Sequence, residues 1–171
     1  MTGTVVLLPA AQVPGTADSD WPERLEIAAE LAAYSVPVCL PRNPEPLDLT
    51  DPSLDVRAAA AHWVAHNAIE LTKAMPTMPL LLAAWGPAGG LVPALGFAQK
   101  ASRHAVCGYA LIDSVSANAA GADWPDAPVD IIVTPQADEV ALTAARLAEL
   151  RGWTCHRDAN PAQILRQLME H

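Results

Sequence analysis

Apolar residues gather into six short runs along the chain: Thr4 to Leu8, Val36 to Leu40, Met78 to Trp85, Val106 to Ile112, Val129 to Val133 and Trp153 to His156. Each has the length of a strand and is closed within two residues by a proline, a glycine or a charged side chain. Longer segments with helical spacing separate them. Pro22 to Tyr34 carries Leu25, Ala28, Leu31 and Ala32 on one face, with Pro22 in its first turn and Ser19 or Asp20 placed to cap it. Asp55 to Lys73 reads as a long alanine-rich helix, and a further helix runs from the Gly86–Gly90 turn to Ser102. Asp138 to Arg151 is closed by Gly152, and Asn160-Pro161 opens a last helix that reaches Glu170. Proline-rich residues Pro41 to Pro52 form an ordered surface loop, and Ser114 to Pro128 is a loop of small residues.

The strand runs are apolar throughout rather than alternating, which suits strands buried on both faces. Six such strands interleaved with helices predict an α/β fold: a doubly wound, mainly parallel sheet of about six strands covered on both sides. In such sheets ligands meet the carboxyl ends of the strands. The loops after Leu8, Leu40, Trp85, Ile112, Val133 and His156 therefore matter most.

Composition narrows the classes. The 171 residues suit one domain, 1–171. A formal charge of −9 argues against nucleic acid and against anionic membranes, both of which need a basic face. Cys39, Cys107 and Cys155 are scattered, without C-x-x-C, which fits a reducing cytoplasm and neither a disulfide framework nor a zinc site. No apolar run approaches the ~20 residues of a membrane span, and no secretory leader is visible. Sixteen prolines against one phenylalanine imply many rigid turns and a core of Ala, Leu and Val.

The most informative segment is Leu80 to Gly96, a strand followed at once by Gly86-Pro-Ala-Gly-Gly90 and a helix. In a nucleophile elbow the chain turns so sharply that the central residue is strained, and its neighbours two positions away must be small. Gly86 and Gly90 meet that rule around Ala88. The chain thus resembles a compact α/β-hydrolase without a lid domain, of the thioesterase branch. Leu81 to Leu91 resembles the strand–elbow–helix segment, Gly108 to Ser114 the next strand ending in an acid, and Val5 to Ala11 the strand that leads into the oxyanion loop. Gly15 to Trp21 resembles the stretch between that loop and the first helix.

Carried over on that resemblance, the nucleophile falls on Ala88, the acid on Asp113 or Asp138, and the histidine near Asn160. The oxyanion hole falls on the backbone of Ala10 or Ala11 and of Gly89. Ala88 has no nucleophile and Asn160 is no imidazole, so covalent acyl transfer is not expected there. Trp85 and Pro87 flank the turn, and Trp21 and Trp124 lie in loops near the same edge, so an aromatic pocket is expected. Plainer roles compete: Asp138 and Asn160 suit helix caps, Asp113 a strand end, and His62 with His66 an exposed helix face rather than a metal pair. A glycine-rich dinucleotide fingerprint is missing after the first strand, and no basic residue adjoins Gly86–Gly90 to hold a phosphate.

The expectation is a hydrolase-like protein without its nucleophile and histidine. It would bind a small acyl or aromatic ligand, or a partner protein, at the former active-site edge, with no metal and no cofactor. Three alternatives stand beside it: a non-hydrolytic cyclase, lyase or isomerase of specialised metabolism; a serine hydrolase or thioesterase whose nucleophile has been replaced by alanine at position 88; and an assembly module that forms a homodimer.

Overall fold

The computed structural model describes residues 3–12, 14, 21, 23–114, 124 and 127–170. Among these residues six strands are present: β1 (Thr4–Leu7), β2 (Val38–Cys39), β3 (Leu80–Trp85), β4 (Val106–Ile112), β5 (Val129–Ile132) and β6 (Thr154–His156). Five α-helices accompany them: α1 (Arg24–Ala33), α2 (Val56–Ala74), α3 (Val92–Ala101), α4 (Glu139–Glu149) and α5 (Pro161–Glu170). All strand pairs are parallel, in the order β2-β1-β3-β4-β5-β6. The chain steps outward from β1 to β2, then returns past β1 to β3 and proceeds in the other direction. That reversal puts the topological switch between β1 and β3.

Period-two alternation divides each strand between two cores. Val6, Leu82, Leu111 and Ile131 face Trp63 and Leu71 of α2, Leu95 of α3 and Ala145 of α4. Val5, Leu81, Ala110 and Ile132 face Ile27 and Leu31 of α1 and Leu165 of α5. With right-handed crossovers, the change of winding direction requires α1 on one face and α2, α3 and α4 on the other, as found. Alanines at Ala83, Ala84 and Ala110 keep the centre of the sheet thin.

Sequence boundaries shift by a few residues. β2 covers only Val38–Cys39, a 3₁₀ turn (Gly86–Leu91) precedes α3, and α1 starts at Arg24. The proposed caps Ser19 and Asp20, with Pro22, lie outside the described residues, as does most of Ser114 to Pro128. Gly152 does adopt a left-handed backbone, at φ +81°, after α4. Among the described residues no helix is long and apolar enough to cross a membrane.

Two polar clamps tie the loops to this frame. The Arg24 guanidinium donates to the carbonyls of Leu7 (2.6 and 3.0 Å) and Pro41 (2.7 Å), joining α1 to the carboxyl ends of β1 and β2. Burial pushes its pKa down to about 10. In the proline-rich segment, Arg42 makes a two-pronged pair with Glu70 of α2 (3.0 and 3.2 Å), and His66 Nε2 lies 2.8 Å from the Arg42 carbonyl. Together with the Leu47 N–H bond to Gln12 (3.0 Å), these contacts anchor that segment.

Arg24→Met leaves the Leu7 and Pro41 carbonyls without their donor, and urea unfolding should show a loss of about 2 kcal/mol; a loss below about 0.5 kcal/mol would show the clamp to be incidental. Hydrogen bonding to Arg42 holds the Glu70 carboxyl at about 2, below its ordinary 4.5. Its contribution is therefore full above pH 4.5 and disappears as pH falls toward 2. Glu70→Gln should flatten the acid limb of the stability–pH curve across that window while leaving the curve's shape near neutral pH alone.

Candidate functional site

The turn after β3 is built from three constraints. Trp85 is extended (φ −116°, ψ 144°), and Gly86 then swings to φ +56° before the chain enters the 3₁₀ turn. A left-handed residue at this point reverses a strand into a helix within one position, and glycine takes it without a steric penalty. The Ser114 hydroxyl holds the reversal by donating to the Gly86 carbonyl at 3.0 Å. A Cβ built on Gly86 would meet nothing within 4 Å, so a side chain there would stand in open space. Gly89 is glycine for another reason: a Cβ on it would collide with the Ser114 side chain.

The strained backbone expected at Ala88 is thus found two residues earlier, and Ala88 has no positive φ. Ala88 is fully buried among Val6, Leu8 and Val92. The small neighbours two positions either side of Gly86 are Ala84 and Ala88, both without exposed surface. The spacing rule read around Ala88 is met equally well around Gly86.

A cavity of about 950 Å³ opens at the carboxyl ends of β3, β4, β5 and β6, on the side of α1 and α5. Trp21 and Trp85 supply aromatic wall, Ile27 and Ile112 apolar floor, and Glu23, Glu26, Glu30, Asp113, Asp138 and Asp158 the charge. No Lys, Arg or His lines it among the described residues. Of the expected site residues, Trp85, Asp113, Asp138 and Asn160 come together in this cavity. Ala10, Ala11, Pro87, Ala88 and Gly89 are not part of its lining. Trp21 joins it, whereas Trp124 does not: its ring stands edge-on to Tyr109 (5.2 Å) and Trp153 (5.3 Å) against the opposite core.

Each polar group has a definable task. Asp113 is left-handed at φ +43°, and its carboxylate accepts from the Thr134 N–H (2.8 Å) and the Thr134 hydroxyl, locking the end of β4 to that of β5. Asp138 caps α4 by accepting from the Ala141 N–H at 2.8 Å. Asn160 caps α5 through the Ala162 N–H at 2.9 Å, and its amide donates to Glu30 at 3.4 Å. His156 does not reach the cavity; its Nε2 lies 2.8 Å from Asp130, a contact between β6 and β5. Burial pushes the thiols of Cys39, Cys107 and Cys155 up, the opposite of nucleophile activation. No group of three or more metal-binding side chains occurs among the described residues.

Sequence reasoning missed Arg24, Ser114 and Thr134. Arg24 stands in the first turn of a helix, and nothing in the neighbouring sequence shows that two strand ends lie beneath it. Ser114 and Thr134 each lie two residues past a strand end, the one signal that pointed to them.

No protein-family model matches the sequence, and no curated protein is significantly similar to it. Solved structures do match by shape. A hormone-sensitive lipase from a metagenome library superposes with a TM-score of 0.50 at 16% identity, covering 90% of this chain and 66% of its own. The EstE5–PMSF structure and an esterase/lipase from an uncultured bacterium each give 0.53 at 17% identity, covering 99% of this chain and 75% of theirs. The chain therefore has the fold of the α/β-hydrolases, in a version that spans 66–75% of the length of these esterases and lipases. No lid is present among the described residues.

Asp113→Ala removes both acceptors of Thr134 and keeps the left-handed backbone, so it should cost about 2–3 kcal/mol of unfolding free energy. Asp113→Asn retains an acceptor and tolerates that backbone, so its cost should be about 1 kcal/mol. Equal losses for the two would show that the Thr134 bonds contribute little.

Proposed function

We propose that this chain is a hydrolase-fold protein without serine acyl-transfer chemistry, which binds a small organic ligand in the cavity at the carboxyl edge of its sheet. The observation that carries the reading is the pair Gly86-Pro87. The left-handed residue between strand and helix is the place where an elbow exposes its nucleophile, and here it has no side chain. The residue after a nucleophile supplies an oxyanion-hole N–H, and here it is a proline, which has none. Nucleophile and one oxyanion donor are therefore both missing from adjacent positions. Loss of such a donor alone costs roughly 10²–10³ in rate. An imidazole is also missing from the cavity lining among the described residues.

The cavity volume is in the range of ligand pockets, and Trp21 and Trp85 in its lining suit an aromatic or acyl group. The three free, half-buried thiols support a cytoplasmic setting. Two cores sharing one sheet support a single domain. A second reading, a non-hydrolytic enzyme, is favoured by one feature: two non-glycine residues held left-handed at the cavity wall, Asp113 and Asp158, of the kind that accompanies function.

Purified protein should not hydrolyse p-nitrophenyl acetate or acetyl thioesters above the buffer rate. Ala88→Ser should remain inactive because its hydroxyl would be in the core. Gly86→Ser should also remain inactive, since Pro87 and the lack of an imidazole persist. Ordinary esterase turnover by the wild type or by either variant would overturn the proposal.

A further inference from the structure

We propose that the outward face of α4 is a self-association surface, on which a second copy of this chain docks with its own α4 running antiparallel about a two-fold axis. The inference is independent of what the cavity binds. Helix α4 inverts the usual distribution of bulk. Its buried positions are all small: Ala141, Ala144, Ala145 and Ala148. Its large apolar residues are on the solvent side, with Val140 58%, Leu147 44% and Leu150 85% exposed. Val140 and Leu147 are one heptad apart, and Thr143 and Leu150 each follow one of them at helical spacing. These four positions form one seam along the helix. A helix that is apolar on two sides is normally enclosed on both. Single exposed apolar residues are common, but three aligned on one 11-residue helix make a contact patch.

The charges on the helix decide which partner fits. Glu149 is already paired with Arg157 at 2.8 Å, and the Arg151 guanidinium lies over the Trp153 ring at 5.9 Å. Glu139 and Arg146 are exposed and form no ion pair among the described residues. They too are one heptad apart, along one flank of the seam. In an antiparallel two-fold pair, the same flanks of the two helices face each other. An axis level with Thr143 sets Val140 against Leu147 of the second copy and Glu139 beside Arg146 of the second copy, each contact occurring twice. The seam is therefore complementary to itself in both shape and charge. A parallel pairing would bring Glu139 to Glu139 and lay like helix dipoles side by side. One short helix offers less than the standard interface of about 800 Å² per partner, so the dimer is a weak one, with a Kd on the order of 100 μM.

The test is sedimentation of the full chain from about 5 μM to about 1 mM, a range that brackets the expected Kd. The mass should rise from 18.0 kDa toward twice that value. Leu147→Lys changes an exposed residue, so its circular dichroism should match the wild type, and its dimer should weaken at least about tenfold. Glu139→Arg brings Arg to Arg across the contact and Arg146→Glu brings Glu to Glu, so each variant alone should weaken the dimer about fivefold. An equimolar mixture of those two variants restores both Glu–Arg contacts and should associate within about twofold of the wild type. That rescue cannot come from a change in the stability of either helix. A monomer up to 1 mM overturns the proposal. A dimer unchanged by Leu147→Lys places the contact elsewhere and also overturns it. Charge variants whose mixture fails to regain association overturn the antiparallel two-fold pairing.

Discussion

The left-handed turn at Gly86 is the constraint on which the molecule's organisation depends. The central strand must end, reverse and enter a helix without leaving room for a loop, and a single residue at φ +56° does this. Everything around the turn is small or braced: Ala84 and Ala88 lie flush in the core, Gly89 lets Ser114 approach, and Ser114 holds the Gly86 carbonyl. Hydrolase-fold enzymes use the same reversal to present a nucleophile. Here the residue that makes the reversal is a glycine.

The acidic character of the cavity has a structural origin as well as a chemical one. A parallel sheet directs the N-termini of its following helices toward one edge, and N-termini favour acidic and capping residues. Asp138 and Asn160 are there for that reason, and their capping bonds are made. Glu26 in the first turn of α1 follows the same rule. The fold thus accumulates carboxylates at the carboxyl edge, where sheets of this kind take their ligands.

Much of the fold was legible because burial on two faces leaves an uninterrupted apolar signature. All six runs became strands, and the helices between them formed within a few residues of where spacing placed them. What was not legible was register within the turn. Gly86-x-Ala88-x-Gly90 and Ala84-x-Gly86-x-Ala88 obey the same small-residue rule, and only backbone angles distinguish them. Asp113, Asp138, Asn160 and Trp85 converge because they lie at strand ends on one edge, which the sequence order of strands and helices does convey. Trp124 was misplaced because its loop position says nothing about which face of the sheet its ring covers. Arg24 was invisible for a related reason: its partners are backbone carbonyls 17 residues away in sequence, and carbonyls leave no compositional trace.

The sheet also tapers. β4 has seven residues, while the rim strands β2 and β6 have two and three. Open rims are where one sheet can recruit a strand from another chain, and their reach scales with the number of unpaired backbone groups. Rims this short give a neighbouring strand almost nothing to zip onto. Copies of this chain that associate are therefore steered toward contacts between helix surfaces, and continuous sheets running from one molecule into the next are disfavoured by the lengths of the outermost strands alone.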